Sequence, residues 1–263
     1  MGVFLAIAAK SFQRSMAYRA ANLAGIVTNT FFGAVYIFGY IALFRSRSQL
    51  GGLDLQNTIT YAVLSQSLLM AMTAFGNLDL SEAIVKGDIA SDLARPVDFY
   101  LLWAATDLGR AAYFFLFRGL PTFLLGWLLF HPSLPAAPAA GLLFLPAVAL
   151  GMAVSFAFRF ITGSLAFWLT DARGVNSLST SLVIFLSGFA VPLNFFPGAL
   201  RTIAEWLPFN ALANLPINLY LGKLPPAALA ATLAREAGWL VVLVALGRWL
   251  LARLMGRLSV NGG

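Results

Sequence analysis

The sequence predicts an all-α membrane protein with six transmembrane helices, folded as a single domain over residues 1–263. Its composition is the first reason: 60% of its residues are hydrophobic and only 10% are charged. Soluble domains contain roughly 45–50% apolar and about 25% charged residues. The second reason is that several apolar runs reach the ~20 residues that a helix needs to cross a bilayer. Cysteine is absent and His131 is the single histidine, which excludes disulfides and argues against a metal centre.

Six apolar runs follow one another along the chain. They cover residues 20–44, 58–76, 101–130, 139–169, 175–193 and 228–251. Six crossings place both termini on the same side of the membrane. Eleven Lys and Arg residues lie on that side and five lie on the other, while Arg118 lies inside a run and is not counted. Because basic residues are enriched in cytoplasmic loops, we predict a multi-pass protein of the cell (inner) membrane with both termini in the cytoplasm. The net charge of +7 is then explained by orientation, without a nucleic-acid partner.

The N-terminal residues 1–19 predict an amphipathic helix that lies flat on the membrane. One side carries Lys10 and Arg14, which suit lipid headgroups. The other side is apolar and comprises Phe4, Ile7, Ala8 and Phe12. An ordinary basic flank of the first span is the alternative interpretation.

A charged segment, residues 77–100, separates the second and third runs and contains the stretch EAIVKGDIASDLARPVDFY. Apolar residues alternate there with charges of both signs. Burial of the apolar residues in a partner would remove them from water, and the charges would set the register of the contact. We therefore predict a short helical docking element; a solvated loop with incidental charges is the alternative. The residues assigned to docking are Glu82, Ile84, Val85, Lys86, Gly87, Asp88, Ile89, Leu93, Arg95 and Pro96.

The outer segment, residues 194–226, is predicted to be partly buried and re-entrant. Trp206, Phe209 and similar residues make it too apolar for an open loop. Prolines such as Pro197 and Pro208 divide it into pieces too short to span the membrane.

Arg118 is the ionisable residue placed deepest by the run boundaries, and a bare guanidinium at that depth is costly. It is a candidate for a pathway or gate; a structural pair, or a side chain that reaches to the interface, is the other interpretation. Further candidates for the pathway are Asn176, Ser181, Phe189, Asn194 and Phe195. Polar residues on the fifth span also suit a subunit interface, and aromatic residues also suit packing against lipid.

Four stretches of the chain resemble the permease subunits of type-2 ATP-binding-cassette exporters, within the branch often encoded as two different permeases beside one ATPase. They are SMAYRAANLAG, GDIASDLARPVDFY, LAFWLTDARGVNSL and SGFAVPLNFFPGALRTIAEWLPFNALANLPINLYLG. The resemblance covers nearly the whole chain. It implies that the charged segment forms a coupling helix in a cleft of the ATPase, and that the outer segment forms short helices that dip back from the outer face.

The resemblance also implies partners and a direction of transport. The expected partners are cytoplasmic ATPase subunits, a second permease (the same or a homologous chain) and membrane lipid. The expected substrate is hydrophobic or amphipathic and leaves the cytoplasm. No G-x-x-x-x-G-K-[ST] motif is present, so we expect no cofactor and no catalytic residue on this chain, with ATP and Mg²⁺ bound by the partner ATPase.

Two other classes of function stay open on the sequence alone. An ion- or proton-coupled secondary transporter would need acidic relays within its spans, where Glu236 near the outer end of the sixth run stands alone. A membrane assembly protein without transport activity is the other.

Overall fold

The computed structural model describes residues 2–72, 80–86, 88–169 and 173–258, and within these ranges the chain is helical and contains no strand. This confirms the predicted all-α class. The helices are α1 Gly2–Ser15, α2 Arg19–Leu43, α3 Leu55–Leu68, α4 Leu80–Lys86, α5 Ile89–Leu93, α6 Phe99–Phe114, α7 Leu120–Phe130, α8 Pro138–Ser164, α9 Arg173–Leu186, α10 Gly198–Trp206, α11 Asn214–Tyr220 and α12 Pro226–Leu258. A π-helical turn, Phe115–Gly119, joins α6 to α7.

Four stretches of the described chain are long and apolar enough to cross a membrane. They are Gly2–Ser46, Phe99–Phe130, Pro138–Phe167 and Pro226–Arg253. The other two predicted spans contain helices α3 and α9, each of 14 residues. At 1.5 Å per residue such a helix is about 21 Å long, whereas the hydrocarbon core is about 30 Å thick. The predicted second span also continues into residues outside the described ranges, so the count of six spans stays a prediction.

Helix α1 packs along α6. The Ser11 hydroxyl donates a hydrogen bond to the Thr106 carbonyl at 2.6 Å, and the Phe12 ring meets the Tyr113 ring edge-on at 5.7 Å. Gly109 permits this approach, because a Cβ there would lie 2.0 Å from the Ala8 carbonyl oxygen. The predicted apolar face therefore contacts protein at Ala8 and Phe12, and the position of α1 at the membrane surface stays a prediction.

Helix α3 lies at the centre of the described fold, and every residue from position 58 to 68 is buried. The Tyr61 hydroxyl donates a hydrogen bond to the Gly188 carbonyl at 3.1 Å, which fixes the turn that follows α9. Gly188 has a φ of 91°, and a Cβ at this position would lie 2.3 Å from the Tyr61 hydroxyl. Glycine is needed there both for the backbone conformation and for the close contact.

The outer segment is helical and largely buried, and does not form a free loop. Residues 208–221 are all buried. The Phe209 ring meets the Phe158 ring of α8 edge-on at 4.9 Å, and the Tyr220 ring meets that of Phe144 at 5.5 Å. The part of the segment from Pro208 to Tyr220 is thus packed on α8, while the entry of the segment into a membrane stays a prediction.

Candidate functional site

The apolar residues of the charged segment point mainly into the protein. Ile89 is only 7% exposed, and Ile84 and Leu93 are half-buried against a cluster that includes Tyr100 and Phe160. The prediction that the apolar side chains of this segment are free to contact a partner is therefore wrong for Ile89 and only partly met for Ile84 and Leu93. Burial of apolar surface favours this orientation, because aromatic residues of α6 and α8 lie directly beneath α4 and α5.

The outward face of the same segment is charged and, in the part that the structure describes, holds one large aliphatic side chain. Val85 is 60% exposed. It lies beside an ion pair in which Lys86 Nζ is 2.5 Å from Glu82 Oε1, a pair that lowers the pKa of Glu82 and raises the pKa of Lys86. The remaining predicted docking residues on this face are Asp88, Arg95 and Pro96, all exposed. Gly87 lies outside the described residues.

Three of the contacts between the charged segment and other helices lie at the two ends of the segment. The Asn176 amide of α9 donates a hydrogen bond to the Ser81 hydroxyl of α4 at 3.2 Å. Leu80 of α4 lies against Gly163 of α8, where a Cβ would be 3.5 Å from the leucine. The segment thus contacts helices α8 and α9 at the place where their cytoplasmic ends are predicted.

The third connection is made at the end of the segment. Asp98 caps α6 by accepting a hydrogen bond from the Leu101 backbone N–H at 2.8 Å. The same carboxylate pairs with Arg248 of α12 at 3.3 Å, and the Arg248 guanidinium lies over the Tyr100 ring at 5.3 Å. A displacement of the segment would therefore reach α6, α8, α9 and α12 together.

Arg118 lies on the π-helical turn and is held against α2. Its Nη2 atom donates a hydrogen bond to Asn29 Oδ1 at 3.0 Å. Gly25 makes room for the side chain, since a Cβ at that position would lie 2.2 Å from the guanidinium carbon. Next to it, the Asn22 amide donates to the Phe117 carbonyl at 2.6 Å. This geometry favours a structural role that joins α2 to the bend between α6 and α7.

The other pathway candidates do not come together with Arg118. Asn176 donates a hydrogen bond to α4, as described above. Ser181 is exposed on α9, where its hydroxyl donates to the Ser177 carbonyl.

The aromatic candidates lie nearer the core. Phe189 is buried beside α3, where its carbonyl accepts a hydrogen bond from the Ser65 hydroxyl at 3.2 Å. Asn194 accepts from the Asn218 amide at 3.3 Å, and the Phe195 ring meets that of Tyr40 at 5.9 Å. Phe189 and Phe195 thus belong to one hydrophobic cluster, whereas Asn176 contacts α4 and Ser181 is exposed. The role of these residues in a pathway stays a prediction.

A buried ion pair between α6 and α8 was not predicted from the sequence. Asp107, 4% exposed, accepts two hydrogen bonds from Arg159, at 3.1 and 2.7 Å, and also pairs with Arg110. Arg159 Nε donates in turn to the Ser155 hydroxyl at 3.2 Å. The sequence shows each residue as an ionisable group beside or within an apolar run. Because 52 positions separate Asp107 from Arg159, no local sequence pattern indicates that they pair.

A second buried polar network joins the outer segment to α12. Asn218 donates to Asn214 Oδ1 at 2.7 Å, and Asn214 donates to Asn210 Oδ1 at 2.8 Å. Asn210 donates to Glu236 Oε1 at 2.9 Å, which Arg235 also contacts at 3.0 Å. The spacing of the three asparagines, four residues apart, is a sequence signal for this network, although Asn210 lies in the turn Pro208–Ala211 and only the other two lie on α11. Within this network Glu236 is fully buried and contacts Asn210 and Arg235.

Comparison with known families matches residues 31–262 to a model described as ABC-2 family transporter protein. A search of curated proteins gave no match. The matched range contains the charged segment, the outer segment and the long helices α6, α8 and α12. Members of this family are membrane components of an ABC transporter and work with a cytoplasmic ABC ATPase, which is a separate subunit. The chain belongs to the ABC-2 family of transporter proteins and is a multi-pass membrane permease subunit.

Proposed function

We propose that this chain is one permease of an ATP-driven exporter that moves a hydrophobic or amphipathic substrate out of the cytoplasm across the cell (inner) membrane. ATP and Mg²⁺ are bound and used by the separate ATPase, which docks on the outward face of the charged segment. The observation that supports this proposal is that the two faces of the segment differ. Its outer side presents Val85 among charges, and its inner side joins an aromatic cluster shared with α6 and α8.

The inner side of the segment suits it to transmit force. Ile89 packs in a cluster with Tyr100 and Phe160, whose rings lie 4.7 Å apart. Packed aromatic side chains resist compression, so a push on α4 and α5 moves the helices beneath them as rigid bodies. The bonds from Asn176 and Arg248 carry the same displacement to α9 and α12. Closure of the ATPase subunits would in this way shift four helices together and open the outer side.

A second permease, the same or a homologous chain, packs against α9 in this proposal. Of the residues of α9, only Asn176 and Val183 are buried. Ser181 is exposed beside Leu178 and Leu182, which are 68% and 50% exposed. Small hydroxyl residues on an otherwise apolar face are typical of helix contacts in membranes, because they allow close approach and hydrogen bonding between helices.

The pairing predicts a specific cross-link. The chain has no cysteine, so a single Ser181→Cys variant reports only on that position. If two copies of this chain pair, the two thiols introduced at position 181 face each other across α9, and we expect their oxidation in membranes to give a covalent permease dimer in high yield. The matched control is Leu124→Cys on α7, a position that is also exposed, at 54%. Equal yields from the two variants would contradict pairing through α9.

Export itself is tested in inside-out vesicles that contain this chain and its ATPase. The expected result is ATP-dependent uptake of a lipophilic fluorescent cation, because the cytoplasmic face of such vesicles points outward. Vesicles with the ATPase but without this chain are the control and should take up none. Uptake that stops when a protonophore collapses the proton gradient, and persists without ATP, would instead indicate a secondary transporter.

A further inference from the structure

A basic cavity of about 730 Å³ lies between α1, the start of α2 and α6. It is lined by five cationic side chains, namely Lys10, Arg14, Arg95, Arg110 and Arg118. Asp107 is the one carboxylate among the described residues that line it. Cations that converge on one cavity repel each other and concentrate a positive potential there, so a bound anion would lower the energy of the arrangement.

The charge of Asp107 does not neutralise the cavity. Both carboxylate oxygens accept hydrogen bonds from Arg159, which does not line the cavity. Lys10 and Arg14 lie exposed on α1, and neither pairs with an acidic group in the described part of the chain. Arg95 pairs with Asp92 at 3.4 Å and Arg110 pairs with Asp107. Among the described residues, Lys10, Arg14 and Arg118 are therefore the lining cations that form no ion pair.

Three buried polar atoms of the lining have no hydrogen-bond partner among the described residues, and one of them is an acceptor, Asn22 Oδ1. Trp103 Nε1 and Arg118 Nε are buried and find no acceptor among the described residues. Buried donors are nearly always paired in native proteins. Two unpaired donors on the lining of one cavity are consistent with a site that is completed by an oxygen-rich group.

The lining also contains apolar side chains, beside the polar residues Ser11, Ser15, Asn22 and Thr106. Ile7, Leu102 and Phe114 contribute apolar surface. The close contact between Gly109 and the Ala8 carbonyl, together with the hydrogen bond from Ser11 to Thr106, holds α1 at a set distance from α6. Tyr18, at the bend between α1 and α2, also lines the cavity, and tyrosine is enriched at the level of lipid headgroups.

We infer that this basic cavity binds the phosphate group of an anionic phospholipid, with the acyl chains along the apolar wall. Basic pockets between membrane helices on the cytoplasmic side are typical sites for anionic headgroups. Arg95 belongs to the charged segment, so the bound phosphate would connect the segment directly to α1 and α6. This inference goes beyond the proposed function, because it assigns a lipid to a cavity that shares Arg95 with the docking face and is distinct from the site of the exported substrate.

The test uses the purified full-length permease in nanodiscs made from phosphatidylcholine, with and without phosphatidylglycerol. Native mass spectrometry and thermal unfolding report lipid binding. We compare a Lys10→Gln, Arg14→Gln double variant with an Arg45→Gln, Arg47→Gln double variant, which removes the same charge from an exposed outer loop. Exposure of all four side chains makes misfolding a minor concern.

Phosphatidylglycerol should stabilise the wild type and stay bound to it. Its affinity should fall about 30-fold in the Lys10, Arg14 variant, the loss expected for two cations near an anionic lipid, and stay unchanged in the control. Inorganic phosphate added to phosphatidylcholine discs distinguishes the source of the anion. Stabilisation by phosphate alone, lost in the same variant, would identify a free anion and overturn the lipid assignment. Equal phosphatidylglycerol binding in the two double variants, or none in the wild type, would overturn the site itself.

Discussion

Replacement of Arg159 by methionine is expected to destabilise the folded protein by about 3–5 kcal/mol, the range observed when one partner of a buried ion pair is removed. Asp107 is 4% exposed and loses two hydrogen bonds in this variant, at 3.1 and 2.7 Å. Arg110 stays beside it, but one guanidinium does not replace the bidentate partner. The free energy of unfolding in detergent micelles measures the effect.

Arg201→Met is the matched control, because it removes the same side chain from an ion pair with Glu205 in which both partners are about one-third exposed. Exposed pairs contribute ~0–1 kcal/mol, so the control should unfold nearly like the wild type. A double variant, Asp107→Leu with Arg159→Met, should recover part of the loss because the orphaned carboxylate is gone. Equal destabilisation by the two single arginine variants would show that Asp107–Arg159 is not a stabilising pair.

The long helices could be predicted from the sequence because their signal is local. A run of about 20 apolar residues is sufficient to identify a span, and α8 and α12 were located in this way. The apolar runs overestimate the lengths of α3 and α9. The reason is that turn residues, such as Gly188 after α9, continue the apolar composition of the helix before them. Only the contact of Gly188 with Tyr61 shows why the helix ends where it does.

The site was less predictable than the fold, because it depends on contacts between distant parts of the chain. Helices α4 and α5 contain seven and five residues, too few for helical periodicity to distinguish an inward face from an outward one. Ile89 and Val85 look equivalent in sequence, yet one is buried and the other exposed. The deciding factor is the aromatic cluster under the segment, which includes residues of α8 more than 60 positions away.

Reversal of Asp88 to lysine is expected to abolish most ATPase recruitment, since like charges brought together at an interface cost several kcal/mol. A Val85→Asp change should have a similar effect, because it places a charge where a partner would bury an apolar side chain. Val85 is 60% exposed and Asp88 is exposed, so neither substitution disturbs packing within the chain. The amount of permease in the membrane should therefore stay normal.

Charge reversal in the outer loop, Arg47→Asp, is the matched control, because Arg47 is equally accessible but lies on the face predicted to be outside the cell. The most direct measurement is ATPase co-purification with each variant, together with the substrate-stimulated rate of ATP hydrolysis in the same complexes. The account predicts that Asp88→Lys and Val85→Asp lose both the ATPase and the stimulation, while Arg47→Asp keeps both. Normal ATPase recovery and normal stimulation in Asp88→Lys and Val85→Asp would contradict the assignment of the charged segment as the coupling element.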